Sequence, residues 1–317
     1  MGMVKRVGIL GQGHVGAHVA YSLIMQGIAD ELVLVDVKED KLRAEVQDLR
    51  DSLSFAPHTV KIENAGADYA ALASCDVIVN AAGHVKEALV NRDGELQITA
   101  AEVRTFANAI VDAGFDGVWV SVANPCDVVA TAIWHLTGYD PKRIIGTGTA
   151  LDSARLRCAL SQATGYEQGS IGAYMLGEHG FSQFAAWSQV SIGGKPLAEW
   201  EDEQPERFSF SHEDIEEQGR MNGYVVANGK NCTEYGVANA AARITRAVLS
   251  NEHAIFACST QLTGEYGQEG IWASLPCCVG AQGVEEVIHL DLTEREQELF
   301  AASCDHIRGN IAQLTWW

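Results

Sequence analysis

Four short apolar runs mark the first third of the chain, and a stretch with helical spacing or a polar loop follows each. Val7 to Leu10 reads as a strand, and "GQGHVG" leads from it into a helix through Ala20, Leu23 and Ile24. "ELVLVD" at residues 31 to 36 is a second strand, followed by a charged amphipathic helix from about Lys41 to Leu53. "CDVIVNAAG" at 75 to 83 is a third, then a polar loop and a helix from about Glu95 to Ala113. "GVWVSVANP" at 117 to 125 is a strand closed by proline. Nearly continuous Val/Ile strands alternating with helices predict a parallel sheet buried on both faces, in a doubly wound α/β domain.

The second half has a different rhythm. "AAWSQVSIGGKPLAEW" has strand patterning broken by Gly193, Gly194 and Pro196, and 236 to 249 reads as a helix. "SLPCCVGAQGVEEVIHLDL" predicts a hairpin with a glycine-containing turn, and the C-terminal amphipathic helix starts at a Thr293 cap. This is an α+β layout. The expected division is therefore 1–148 for the doubly wound domain and 149–317 for an α+β substrate-binding domain, which suits 317 residues.

Charge and cysteine content narrow the function. Forty-two Asp and Glu against 22 Lys and Arg give a net charge of −20. Such a chain is a poor partner for nucleic acid or an anionic membrane. An anionic substrate would need positive charge placed locally, which makes individual arginines informative. The eight cysteines are scattered without a CxxC pair, as expected of reduced thiols in a cytoplasmic protein rather than a disulfide framework. Their spacing from the histidines shows no metal-ligand pattern, so no metal is expected. "MGMVKRVGIL" is too short ahead of its first strand for a signal peptide, and no apolar run approaches membrane-spanning length.

Gly11, Gly13 and Gly16 form GxGxxG between a strand and a helix. That order suits a tight turn, a backbone open to a pyrophosphate, and a helix packed closely on the turn. Asp36 ends the next strand, 20 residues after Gly16, where a carboxylate can accept from a ribose diol and repel a 2′-phosphate. The expected cofactor is NAD. Gly83 and Asn124 close two further strands and should line the crevice at the carboxyl edge of the sheet. Asn124 can equally cap its strand ahead of Pro125.

Candidate chemistry gathers in three places. His179 lies in "YMLGEHGFS", a Gly-flanked loop that by itself fits a structural histidine as well as a catalytic one. Asp152 and Arg155 are three apart in "TGTALDSARLR" and share a helix face. Arg155 can clamp a carboxylate while Asp152 orients an imidazole, or the two can form an ordinary intrahelical pair. Arg92, in the polar stretch "HVKEALVNRDGEL", can polarise a carbonyl from a closing loop or remain solvated.

Together, "GQGHVG", "LVLVDV", "NRDGEL", "VANPCDVV", "GTGTALDSARLR", "LGEHGFSQFAAWS" and "NGKNCTEYGVANAAARI" resemble the L-lactate/malate dehydrogenase family over essentially the whole chain. Within it, "GTGTALDSAR", "YMLGEHGFSQFAAWS" and "NGKNCTEYGVA" are most similar to the L-2-hydroxyisocaproate dehydrogenase branch. The resemblance implies an NAD-dependent L-2-hydroxy acid dehydrogenase. His179 would be the acid–base and Asp152 its partner. Arg155 would bind the substrate carboxylate and Arg92 would polarise the carbonyl. Asn124 would contact substrate or the His179 region, Thr233 would line the substrate pocket, and Val237 would pack near the nicotinamide. Thr233 alone reads equally well as a helix cap. The resemblance also implies a dimer or tetramer.

Departures from the family pattern bear on the substrate. The lid reads "KEALVNRD" without a "KPGE"-like turn, and from Gly83 to Arg92 it has the length of ordinary lactate dehydrogenases rather than the longer hydroxyisocaproate lid. Lys86 stands where lactate enzymes usually carry glutamine and malate enzymes arginine, so it can pair with a second carboxylate or point to solvent. Phe181 stands where many relatives have Asp, which suits a bulkier apolar side chain. Arg157 matches the arginine of the fructose 1,6-bisphosphate site, but Gly172 replaces its histidine, so activation is not expected. The alternatives are a malate dehydrogenase, a non-catalytic NAD-binding protein that kept the fold, and an NAD-dependent glycosidase. The last would want a Cys/His metal arrangement near the nicotinamide, and the sequence shows none.

Overall fold

The computed structural model describes residues 4–83 and 92–317, with side chains from residue 95 onward in the second stretch. Six parallel strands form the first part of the fold: β1 (Arg6–Leu10), β2 (Glu31–Val35), β3 (Lys61–Asn64), β4 (Val77–Asn80), β5 (Val118–Ser121) and β6 (Ile144–Gly146). Helices α1 (His14–Met25), α2 (Glu39–Ser52), α3 (Arg92–Asp112) and α4 (Cys126–Thr137) alternate with them. Strand alternation sorts the side chains onto two faces. Val7, Ile9, Leu32, Leu34, Val77 and Val79 face one apolar cluster with α1. Leu10, Val33, Val35 and Ile78 face another with Phe106 and Trp119.

After β6 come α5 (Ala150–Thr164), β7 (Ile171–Gly172), β8 (Met175–Leu176), β9 (Phe184–Ala185), β10 (Ser191–Ile192), β11 (Lys195–Pro196) and α6 (Leu197–Glu203). The long helices α7 (His212–Lys230) and α8 (Tyr235–Leu249) follow. Strands β12 (Ala254–Thr263), β13 (Glu269–Gly280) and β14 (Gly283–Val287) precede the last helix, α9 (Glu294–Ala312). The expected hairpin is β13–β14, and Thr293 caps α9 in a full capping box with Glu296.

Two features lay beyond the sequence pattern. The late strands extend the first sheet, through the antiparallel pairing Ser259↔Gly146, to nine strands in the order β14-β13-β12-β6-β5-β4-β1-β2-β3. One sheet therefore crosses the expected division at residue 148. Helix α7 was hidden because Gly219, Gly223 and Gly229 interrupt it and few of its positions are buried. Arg92 opens α3 instead of lying within the preceding polar loop. Among the described residues, no helix is long and apolar enough to cross a membrane.

Candidate active site

At the carboxyl ends of β1, β4, β5 and β6 lies an open cleft of about 270 Å³. Its nucleotide end is the turn between β1 and α1. Gly13 is the N-cap of α1 and makes no side-chain hydrogen bond, so the first N–H groups of the helix are left for a ligand. A Cβ on Gly13 would meet nothing within 4 Å, whereas one on Gly16 would stand 1.9 Å from the Gly11 carbonyl oxygen. Gly16 thus lets α1 close onto the turn, while Gly13 keeps the backbone approachable. Asp36 accepts from the Gln12 N–H (2.6 Å) and the Lys38 N–H (2.8 Å), which fixes its carboxylate beside the turn. A carboxylate has about four lone-pair sites, so acceptor capacity remains for a diol. These residues fit a dinucleotide. Gly83, Asn124 and Val237 continue the lining toward the second end of the cleft.

That end is built on α5 and the β8–β9 loop. His179 Nδ1 lies 2.6 Å from Asp152 Oδ2, and Arg155 Nη1 donates to Asp152 Oδ1 at 2.8 Å. One buried carboxylate therefore serves both partners. The intrahelical pair and the imidazole-orienting role, alternatives in the sequence, occur together. Burial alone would raise the Asp152 carboxyl, but the His179 imidazole and the Arg155 guanidinium outweigh it and hold it at about 2. An ionised Asp152 selects the tautomer with the proton on Nδ1, leaving Nε2 for chemistry in the cleft. The Arg155 guanidinium is only partly committed and lines the same cleft. Gly223 on α7 gives it room, since a Cβ there would come within 3.0 Å of Nη1.

Asp127 was not singled out in the sequence, although it directly follows "ANPC". It is 2% exposed and accepts from the His179 backbone N–H (2.9 Å) and from Ser259 Oγ (2.6 Å). It ties the histidine loop to the first turn of α4. Burial pushes its carboxyl up to about 6, against the hydrogen bonds from Ser259 and His179 and with Glu178 adding repulsion. A carboxyl raised in the folded state contributes stability that is full below about pH 4 and is lost as pH rises through about 6. The melting-temperature deficit of Asp127→Asn against the parent should therefore shrink between about pH 4 and pH 7. A deficit that does not change with pH would show that Asp127 does not titrate there.

Phe181 and Thr233 also line the cleft, and Phe181 stacks on Tyr224 with ring centroids 5.6 Å apart. Thr233 is not the cap of α8: that position is Glu234, without a side-chain cap bond. Lys86 lies outside the described residues, as does the side chain of Arg92.

The chain matches two family descriptions end to end. Residues 5–146 match the NAD binding domain of lactate/malate dehydrogenase, and residues 149–315 match its alpha/beta C-terminal domain. An L-lactate dehydrogenase of Fusobacterium nucleatum is 38% identical over 95% of this chain and 94% of its own length. L-lactate dehydrogenase 2 of Enterococcus faecalis is 37% identical over 98% of this chain and 97% of its own. Among solved structures, the minor L-lactate dehydrogenase of Enterococcus mundtii, in a ligand-bound form, superposes with a TM-score of 0.91. It is 32% identical and is covered over 98% of both chains.

Proposed function

Because this chain belongs to the lactate/malate dehydrogenase family, and is thereby an NAD-dependent oxidoreductase acting on a hydroxy acid, we propose that it is an L-2-hydroxy acid dehydrogenase for monocarboxylic 2-oxo acids with large as well as small side chains. One observation carries the substrate class. Among the described residues lining the cleft, Arg155 is the sole lysine or arginine, and the Phe181–Tyr224 ring pair lines the same cleft as His179. One carboxylate has a guanidinium to pair with, and the same cleft offers an aromatic pair to an apolar side chain. The hydroxyisocaproate-like reading of the sequence agrees with that lining.

The His179–Asp152–Arg155 contacts support the following roles. Arg155 holds the substrate carboxylate with its uncommitted N–H groups, which fixes C1 and therefore C2 and its oxygen. NADH, when bound, supplies the hydride to C2. His179 donates the Nε2 proton to the oxygen as negative charge develops there. Asp152 stabilises the charged imidazole and prevents it from turning. Asp127 holds the backbone of the same residue. Asn124 lines the same cleft at the β5–α4 junction and keeps the substrate- or His179-contacting role the resemblance implies. Arg92 keeps the carbonyl-polarising role implied by its place in the sequence. In the reverse direction, Nε2 accepts the proton of an L-2-hydroxy acid.

The malate reading depends on Lys86. The test is NADH oxidation with pyruvate, oxaloacetate, 2-oxoisocaproate and phenylpyruvate. A monocarboxylate dehydrogenase should turn over pyruvate, 2-oxoisocaproate and phenylpyruvate at kcat/KM values within about two orders of magnitude of each other, because an apolar pocket discriminates weakly. A dominant rate with oxaloacetate would replace it with malate dehydrogenase. NADH binding without turnover of any 2-oxo acid would leave a non-catalytic protein.

Self-association to a dimer or tetramer belongs to the same reading. A groove of about 810 Å³ between α1, α2 and α8 is flanked by exposed Tyr21, Met25 and Tyr235. Sedimentation velocity should show a species of at least twice the chain mass, and a monomer at micromolar concentration would contradict it. Fructose 1,6-bisphosphate should not stimulate turnover. Arg157 donates to the Ala173 carbonyl (3.2 Å), and Gly172 offers no second cation.

A further inference from the structure

His14, at the start of α1, and Glu234, at the start of α8, are 220 residues apart in the chain, yet His14 Nδ1 lies 2.9 Å from Glu234 Oε1. Cys232 joins them. The imidazole nitrogen, the thiol sulfur and a carboxylate oxygen all lie within 4.8 Å of one another. His14 and Cys232 line the cofactor cleft, and neither takes part in the His179–Asp152–Arg155 contacts. Linear spacing could not reveal this group, because the fold assembles it from two distant segments.

We propose that His14, Cys232 and Glu234 form a three-ligand site for a zinc-class divalent cation on the rim of the cofactor cleft.

The donor set selects the ion. Imidazole, thiolate and carboxylate suit a borderline-soft cation that favours tetrahedral coordination, and a hard ion such as Mg²⁺ would avoid the sulfur. Three protein donors leave the fourth position to water or to a ligand in the cleft. The two oxygens of Glu234 are already differentiated. Lys230 pairs with Oε2, while Oε1 is turned toward His14. Oε1 can therefore coordinate without breaking the Lys230 pair. The His14 side chain is 61% exposed, so the ring can shift to widen the present contact and the ion has a path from solvent. Cys232 is 5% exposed and Glu234 is nearly buried, which shields the sulfur from bulk oxidants while His14 stays accessible. Lys230 is the cost of this arrangement, since its charge opposes a cation nearby. An ion held here would join the nucleotide-binding turn to the α7–α8 connection. This site does not depend on which 2-oxo acid the enzyme reduces.

The experiment is direct binding of Zn²⁺ and Co²⁺ to the metal-stripped full-length protein, by equilibrium dialysis and calorimetry. The expected result is one ion per chain, a thiolate-to-cobalt charge-transfer absorption with Co²⁺, and a rise in melting temperature with Zn²⁺. Cys232→Ser should abolish the absorption, and His14→Ala should weaken Zn²⁺ binding roughly a hundredfold. Lys230→Gln should tighten it, a gain that misfolding cannot imitate. Absence of stoichiometric binding to the parent would overturn the proposal. So would parent-like affinity retained in both Cys232→Ser and His14→Ala.

Discussion

His179→Asn should bind NADH as the parent does and reduce 2-oxo acids roughly 10²–10⁴-fold more slowly. The asparagine amide can occupy the space beside Asp152, but it cannot deliver a proton at neutral pH to the oxygen on C2. The loop should stay in place, because Asp127 binds the backbone N–H of residue 179 rather than its side chain. The loss should therefore fall on kcat, with NADH affinity from fluorescence titration unchanged. Turnover comparable to the parent would refute the acid–base assignment. A parallel loss of NADH binding would show that the substitution had disturbed the cleft instead.

Arg155→Leu should produce the other large effect, in a different parameter. Losing a desolvated, charge-assisted pair with the substrate carboxylate costs about 2–5 kcal/mol, or roughly thirtyfold to several thousandfold in kcat/KM. Most of it should fall on the dependence on 2-oxo acid concentration. Asp152 loses one donor, the Nη1 contact at 2.8 Å, but keeps the His179 contact at 2.6 Å. The imidazole should thus stay oriented, and saturating substrate should recover part of the rate. An unchanged concentration dependence would count against the carboxylate clamp.

The parts legible from sequence were those carried by a contiguous run or by the fixed spacing of a motif. The strand–glycine turn–helix run is contiguous, and Asp36, which accepts from the Gln12 N–H 24 residues back, read through its spacing from that turn. The pairing of Asp152 with Arg155 was also local. That of Asp152 with His179 spans 27 residues and rested on family resemblance until the fold brought them together. Spacing posed these as alternatives because it cannot show that one carboxylate offers an oxygen to each. For Thr233 the cap alternative failed, because the helix begins one residue later, at Tyr235 after Glu234, and Thr233 lines the cleft instead.

Other features were illegible for physical reasons. Asp127 acts through a backbone N–H 52 residues away, a contact that leaves no pattern in residue types. Strands β12 to β14 read as a separate layout because hairpin patterning says nothing about which sheet edge a strand joins. The glycines that obscured α7 include Gly223, which leaves space for the Arg155 guanidinium. A weak helix signal there marked a packing requirement beside Arg155. Lys86, which bears most on the malate alternative, lies outside the described residues.

The choice between one carboxylate and two is therefore the most exacting point. It can be measured in a single vessel: equimolar oxaloacetate and 2-oxoisocaproate compete for limiting NADH, and the ratio of L-malate to L-2-hydroxyisocaproate gives the ratio of the two kcat/KM values. Arg155, His179 and the Phe181–Tyr224 pair predict an excess of L-2-hydroxyisocaproate. An excess of L-malate would contradict the account.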